Sequence, residues 1–269
     1  MRINTNLNAM IATNQMSKNT ALAGSSMEKL STGLRITKAG DDAAGLAVSE
    51  KMRAQIRGME QAERNVQDGI SMVQTAEGAL EEAGNIAQRM RELGVQAGND
   101  TLSAEDRTKV KEELKQLQDE MKKISEETKF NGKQLLNKAG ASFTIQAGAN
   151  SETRTIKTAD LSSIANGLST ITISSSAEAQ SFVTKVDNAL TSITAARSAL
   201  GAMQNRLEYT ANNLTTSTEN LTAAESRIRD VDVAKEMVTL SKLNILNQAS
   251  QAMVSQAKQQ PESVSQLLR

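Results

Sequence analysis

The sequence predicts a mainly α protein: a long antiparallel coiled-coil helical bundle with a small β-hairpin insertion and its N- and C-terminal helices paired. Three observations carry that prediction. Pro261 is the one proline among 269 residues, where average usage would supply about thirteen, so no proline interrupts a helix in the body of the chain. Apolar residues recur in unbroken steps of three and four over two long stretches. With no Trp, one Tyr and three Phe, the core must be built of Leu, Ile, Val, Met and Ala, the residues that fill helix seams.

The elements follow in order. From Ile3 to Met27 the sole charged residue is Lys18, and Asn, Gln, Ser and Thr are interleaved with Leu7, Met10, Ile11 and Leu22. A series then runs from Val48 through Met52, Met59, Val66, Val73 and Leu80 to Met90, which predicts a long helix with one apolar face. Gly94, Gly98 and Asn99-Asp100 end it. Ser103-Ala104-Glu105-Asp106 reads as an N-cap with acids in the first turn, opening a shorter helix with the seam Val110, Leu114, Leu117, Met121 and Ile124. More than half of the residues from Ala104 to Lys129 are charged, which marks a solvated outer face.

Between Phe130 and Ser176 the period changes to two. Ser142 to Gln146 and Thr153 to Lys157 alternate around a turn holding Gly148 and Asn150, which predicts a β-hairpin at about 142–157. A further short strand is expected at Thr170–Ile173, and these are the only strand signals. The longest series follows, alternating from Phe182 through Val186, Ile193, Leu200 and Leu207 to Val231, with Thr210 and Ser217 as its only polar members. Wholly helical, that span would reach roughly 75 Å, and the series at Val48–Met90 reads as its partner.

The C-terminal segment mirrors the N-terminal one. From Met237 to Ala257 the sole charged residue is Lys242. Met237, Leu240, Leu243, Ile245 and Leu246 project around the whole circumference of a helix, so no single partner face can bury them. The segment is too polar between these residues to span a bilayer. Two readings are open: polar tails packed on the rod or disordered, or surfaces buried by other copies. The closely spaced Leu, Ile, Met and Val favour the second.

Composition excludes much else. Without His or Cys the chain has no Ser-His-Asp or Cys-His nucleophile system, no zinc or haem ligation by those residues and no disulfide. No cofactor, metal site or catalytic residue is expected, and the chain is not expected to be an enzyme. The 31 basic and 31 acidic side chains cancel, which gives no global pull toward nucleic acid or membrane. Met1 to Leu7 lacks the features of a cleaved secretory signal. Asp41-Asp42, in a glycine-bounded segment, reads as a cap or linker brace rather than a metal site. Arg227, Arg229, Asp230 and Asp232 are either register-setting ion pairs or a solvated cluster.

Several ordered motifs resemble bacterial flagellin. They are Leu30-Ser31-Thr32-Gly33-Leu34-Arg35-Ile36, Ala39-Gly40-Asp41-Asp42-Ala43-Ala44-Gly45-Leu46-Ala47, Gln88-Arg89-Met90-Arg91-Glu92-Leu93 and Phe130-Asn131-Gly132. Glu225-Ser226-Arg227-Ile228-Arg229-Asp230-Val231-Asp232 and the Gln259-Gln260-Pro261 to Arg269 tail extend the resemblance to the other end. It implies an inner coiled-coil module lining a filament core, made from residues 1–45 and 232–269. It also implies an outer helical module, made from 46–176 with the hairpin and completed by the long helix of 177–231. The short 130–176 segment leaves no room for the large variable surface domains many flagellins carry.

What the resemblance implies about function is a filament subunit for motility. It would be exported unfolded by the flagellar type III pathway without a cleaved signal peptide, secreted, and polymerised into an extracellular helical homopolymer. The terminal residues expected to drive polymerisation are Ile3, Leu7, Met10, Ile11, Leu22, Met237, Leu240, Leu243, Ile245, Leu246, Val254, Leu267 and Leu268. Implied partners are other copies, an export chaperone acting on the C-terminal segment, hook-junction and filament cap proteins, and the host flagellin-sensing Toll-like receptor. For the receptor the matching positions are Arg89, Arg91, Leu93 and Glu113, with Leu93 off the seam and expected at an outer surface beside Arg89. Intersubunit packing of those residues is the competing reading. The alternative identities are a hook–filament junction protein of the same superfamily and a coiled-coil signalling rod, the latter disfavoured by the hairpin.

Overall fold

The computed structural model describes residues 6–137 and 141–267, with side chains described as far as Gln259. Among the described residues, chain order is α1 (Leu7–Thr32), α2 (Ala43–Ala97), α3 (Ala104–Glu127), β1 (Lys129–Phe130), β2 (Lys133–Gln134), β3 (Ser142–Gln146), β4 (Thr153–Lys157), α4 (Leu161–Gly167), α5 (Ser176–Arg229) and α6 (Val233–Leu267). The mainly helical class expected from the sequence is what forms. The chain divides into two compact units, one of residues Met1–Ala54 with Asn220–Arg269 and the other of Gln55–Glu219.

In the first unit, α1 is opened by Asn6, whose side chain accepts the Ala9 N–H at 3.1 Å. It is closed by Gly33 at φ 71°, a left-handed cap that glycine adopts without a Cβ penalty. The first unit's helices α1 and α6 pack antiparallel. Asn6 Nδ2 donates to the Ala257 carbonyl at 2.6 Å, Thr20 Oγ1 to Asn247 Oδ1 at 3.5 Å, and past the end of α1 the Arg35 N–H donates to the Arg229 carbonyl at 2.6 Å. The Val231 N–H returns to the Gly33 carbonyl at 3.0 Å, completing a Leu34–Asp230 bridge.

The acidic pair after α1 braces the chain, as its sequence suggests. Asp42 Oδ1 accepts the Gly45 N–H at 2.8 Å and opens α2. Asp41 Oδ2 accepts the Thr37 and Lys38 N–H groups at 3.1 Å each and the Thr37 hydroxyl at 3.0 Å. The Lys38 N–H, then the Thr37 donors, favour the charged form and hold this carboxyl below the usual carboxylate range. Of the cluster at the end of α5, Arg229 pairs with Glu50, Asp230 accepts from Ser226 at 2.6 Å, and Asp232 caps α6 through the Lys235 N–H at 3.2 Å. Arg53 and the buried Glu225 pair at 2.8 Å.

In the second unit, α2 and α5 run antiparallel in one register. Arg91 pairs with Asp187 at 2.6 Å, Thr215 donates to Glu63 at 3.3 Å, and Arg197 stands 3.6 Å from Glu81 and 3.8 Å from Glu77. Every member of the Phe182–Val231 series is buried or half-buried. In the earlier series Val48 is exposed and the remaining members are covered. The α3 start forms the full capping box, with Ser103 Oγ accepting the Asp106 N–H at 3.2 Å and Asp106 Oδ2 accepting the Ser103 N–H at 3.3 Å. Val110, Leu114 and Met121 are buried along its inner face.

The expected hairpin forms within its predicted bounds, Ser142 opposite Lys157 and Gln146 opposite Thr153. It lies on α2, where Asn65 Nδ2 donates to the Gln146 carbonyl at 3.2 Å. Glycine makes that approach possible. A Cβ at Gly58 would stand 2.9 Å from the Ala149 Cβ, and one at Gly69 would stand 2.1 Å from Ile145 Cδ1.

Three local expectations need correction. Thr170–Ile173 forms no strand: its alternation buries Ile171 and Ile173, with no neighbouring strand to pair. A second antiparallel pair, β1 with β2, turns on Asn131 and Gly132, both at positive φ (49° and 77°), and an Asn-Gly pair of this kind is a strong hairpin signal. Helix α4, capped by Asp160 through the Ser163 N–H at 3.0 Å, was not anticipated either.

Candidate functional site

The α1–α6 pair is built inside out. In the antiparallel register set by Thr20 and Asn247, the covered positions stand opposite one another in the order Ala9/Ala257, Ala12/Val254, Met16/Ser250, Asn19/Asn247, Ala23/Leu243 and Ser26/Leu240. Each is buried or half-buried, and every one of these layers holds at least one Ala, Ser or Asn. Asn19 is only 4% exposed, and the Gln15 amide donates to its Oδ1 at 3.4 Å.

The large apolar residues point the other way. Leu7, Met10, Ile11, Leu22 and Met27 on α1, and Met237, Val238, Ile245, Leu246 and Met253 on α6, are exposed. Ile11, Leu246 and Met253 line a groove of about 770 Å³ between the two helices, with Gln15, Asn19 and Gln256 beside them. Of the terminal residues singled out from sequence, Leu7, Met10, Ile11, Leu22, Met237, Ile245 and Leu246 are on the open surface. Leu240, Leu243 and Val254 belong to the intramolecular seam. Ile3 and Leu268 lie outside the described residues, as does the side chain of Leu267 at the end of α6.

This arrangement has no catalytic chemistry in it. It presents two charge-poor helices that leave most of their large apolar side chains exposed among the described residues, and burying that surface is the favourable process open to it. Among the described residues no cluster of His, Cys, Asp or Glu could hold a metal, and no helix is long and apolar enough to cross a membrane.

A second candidate surface lies on α2 in the other unit. Arg89 bridges Glu92 at 3.0 Å and Glu113 of α3 at 3.0 Å. These two carboxylates, Glu92 first, push its guanidinium further above its ordinary value. Arg91, half-exposed, turns toward α5 through Asp187. The structure thus joins Arg89 to Glu113 and keeps Arg91 apart from them.

Leu93 is a correction: expected at an outer surface, it is 2% exposed. It lies one turn beyond Arg89, on the side that faces α3, so a third helix covers a position that a two-helix seam leaves open. Gly94 next to it is pressed against Val183 and Phe182, where a Cβ would meet Val183 Cγ2 at 2.9 Å.

Residues 3–141 match the bacterial flagellin N-terminal helical region and residues 183–268 the bacterial flagellin C-terminal helical region. Over the full length of both chains, the sequence is 53% identical to a flagellin of Halalkalibacterium halodurans and 49% identical to one of Bacillus subtilis. It is 44% identical to the flagellar filament 33 kDa core protein of Treponema phagedenis, again over all of both chains. Among solved structures, Bacillus cereus flagellin aligns over 60% of this chain and 94% of its own, with 37% identity and a TM-score of 0.51. A hook-associated protein structure from Vibrio parahaemolyticus shares the fold at 12% identity, with a TM-score of 0.60 over 71% of this chain and all of its own. The chain belongs to the bacterial flagellins, the non-enzymatic structural subunits of the extracellular flagellar filament.

Proposed function

We propose that this subunit polymerises by burying the outward apolar faces of α1 and α6 against other copies, and that these helices, within residues 1–45 and 232–269, line the filament core. The observation that carries this reading is the lopsided pair, whose seam mixes Ala, Asn and Ser with Met16, Leu240, Leu243 and Val254 while most of the large apolar side chains stand outside it. At roughly 25 cal/mol per Å² of apolar surface, each 1,000 Å² buried would contribute about 25 kcal/mol gross. Ordering the two helices offsets much of this, so the ends are loosely held in the monomer and fixed in the polymer.

The same looseness suits export unfolded through the flagellar type III pathway. It also suits capture of the C-terminal segment by an export chaperone, with hook-junction and cap proteins as the neighbours at the ends of the polymer. On α2 and α3, the joined Arg89 and Glu113 are the centre of the surface read by the host flagellin-sensing Toll-like receptor, with Arg91 reached separately on the α5 side and Leu93 acting through the packing of α2.

Seeded polymerisation followed by electron microscopy tests the assembly reading. The full chain gives long uniform filaments, and chains lacking residues 1–30 or 237–269 remain monomeric. Unchanged elongation of either truncated chain would sink it. A receptor reporter assay tests the second surface, where Arg89→Ala lowers signalling by the monomer.

A further inference from the structure

The chain holds 12 methionines, of which Met16, Met52 and Met203 are half-buried and the fully buried and the exposed ones fall in different units. Met59, Met72, Met90 and Met121 of the second unit are buried. Met10, Met27, Met237 and Met253 of the first are exposed by 54, 63, 52 and 62%. Each of these four sits on α1 or α6 among the outward apolar side chains, so the face that must lose water on assembly is also the face that offers the most accessible thioethers.

We infer that Met10, Met27, Met237 and Met253 form an oxidation-sensitive set, and that their conversion to sulfoxide blocks the monomer from joining a filament. The inference rests on the assembly reading above. The chemistry needs a two-electron oxidant of the peroxide class. Hydrogen peroxide transfers one oxygen to the sulfur, its O–O bond breaks, water leaves, and the thioether is oxidised to a sulfoxide as the peroxide is reduced. The product is polar and chiral where the unoxidised side chain was flexible and apolar. Set into a surface meant to be dry, each sulfoxide oxygen must give up its water or be matched to a hydrogen-bond donor at a packing contact shaped for an apolar thioether. Once subunits pack, the same sulfurs are covered. The block therefore acts on free subunits and spares finished filament, and the absence of cysteine leaves methionine as the chain's only sulfur.

The test uses the full chain as monomer. It is treated with hydrogen peroxide, freed of oxidant, mapped by mass spectrometry and offered filament seeds. The expected result is sulfoxide at Met10, Met27, Met237 and Met253 ahead of Met59, Met90 and Met121, with loss of elongation. Methionine sulfoxide reductases restore elongation without any sequence change. An M10L/M27L/M237L/M253L variant, which keeps volume and hydrophobicity, elongates equally before and after treatment. Preassembled filaments given the same dose resist oxidation at the four positions. Normal elongation by the oxidised chain, or equal inhibition of the four-leucine variant, overturns the inference. Failure of the untreated chain to elongate on seeds instead overturns the assembly reading, and the mapping result still stands on its own.

Discussion

The Arg89 guanidinium lies 3.0 Å from the Glu113 carboxylate, a bond between α2 and α3 across 24 residues of sequence. Both side chains are about half exposed, so solvent screens the pair and it adds little to stability. Leu93, one turn further along α2, is fully buried, and its burial contributes more to stability than the pair.

That contrast gives the first prediction. Glu113→Ala lowers stability by less than about 1 kcal/mol, whereas Leu93→Ala costs about 2–5 kcal/mol through the cavity it leaves. Thermal denaturation of both variants checks the order. Arg89→Ala should reduce receptor signalling with almost no change in melting temperature, and a large drop in stability would mean that the residue acts through the fold.

Two glycines of α2 should respond oppositely to alanine. At Gly78 an added Cβ meets nothing within 4 Å, so Gly78→Ala gains about 0.5–1 kcal/mol of helix propensity. At Gly94 the Cβ would press Val183 Cγ2 at 2.9 Å and Phe182 Cδ1 at 3.2 Å, and the crowding exceeds the propensity gain by about 1 kcal/mol. Paired calorimetric melts should show one transition rising and the other falling.

The α3 cap makes stability depend on pH in a definite direction. The Asp106 carboxyl is held below its usual range by the Ser103 hydroxyl and then the Ser103 N–H. A depressed folded-state value means that the contribution is fully present above the unfolded value of about 4 and is lost as pH falls through the folded one. Protection of the first α3 amides, taken relative to their intrinsic exchange rate at each pH, should therefore fall below about pH 4. In Asp106→Asn the same amides are less protected at neutral pH and their protection changes little on acidification.

The Asn19/Asn247 layer should fix the register of α1 against α6, as a buried Asn does in other coiled coils. The cysteine-free chain allows this to be read by disulfide trapping in assembled protein. With both asparagines present, Ala23→Cys cross-links with Leu243→Cys and not with Ser250→Cys. Replacing Asn19 and Asn247 by Leu admits the Ser250→Cys product. Sole trapping of the Leu243→Cys product in that background would show that the layer is not what sets register.

Long-range periodicity was the legible part of this chain. The Phe182–Val231 series needed only the spacing of apolar residues, and the structure covers every member of it. The hairpin was equally readable because alternation and a glycine turn coincide. Thr170–Ile173 misled because alternation reports which residues face inward and says nothing of whether a partner strand exists. The Asn131-Gly132 turn was visible as a motif, yet its two-residue strands are too short to show a period. Leu93 was misplaced for a different reason: a heptad describes two helices, and the third was invisible to it. The terminal helices were recognised by what they lack, namely charge. That their bulky side chains face outward while Asn19 and Ser26 face inward depends on the pairing of α1 with α6, which neither segment shows alone.

The mirrored three–four spacing of α1 and α6 also limits how such a chain can change length. One residue added to α1 would rotate every later layer about 100° away from its counterpart. A change of seven residues keeps the stripe but moves Asn19 off Asn247 unless α6 changes by the same amount. Insertions and deletions in these two helices, far apart in the gene, are thus tolerated only as matched heptads, whereas the exposed Asn150-Ser151-Glu152 segment between β3 and β4 is under no such quantum.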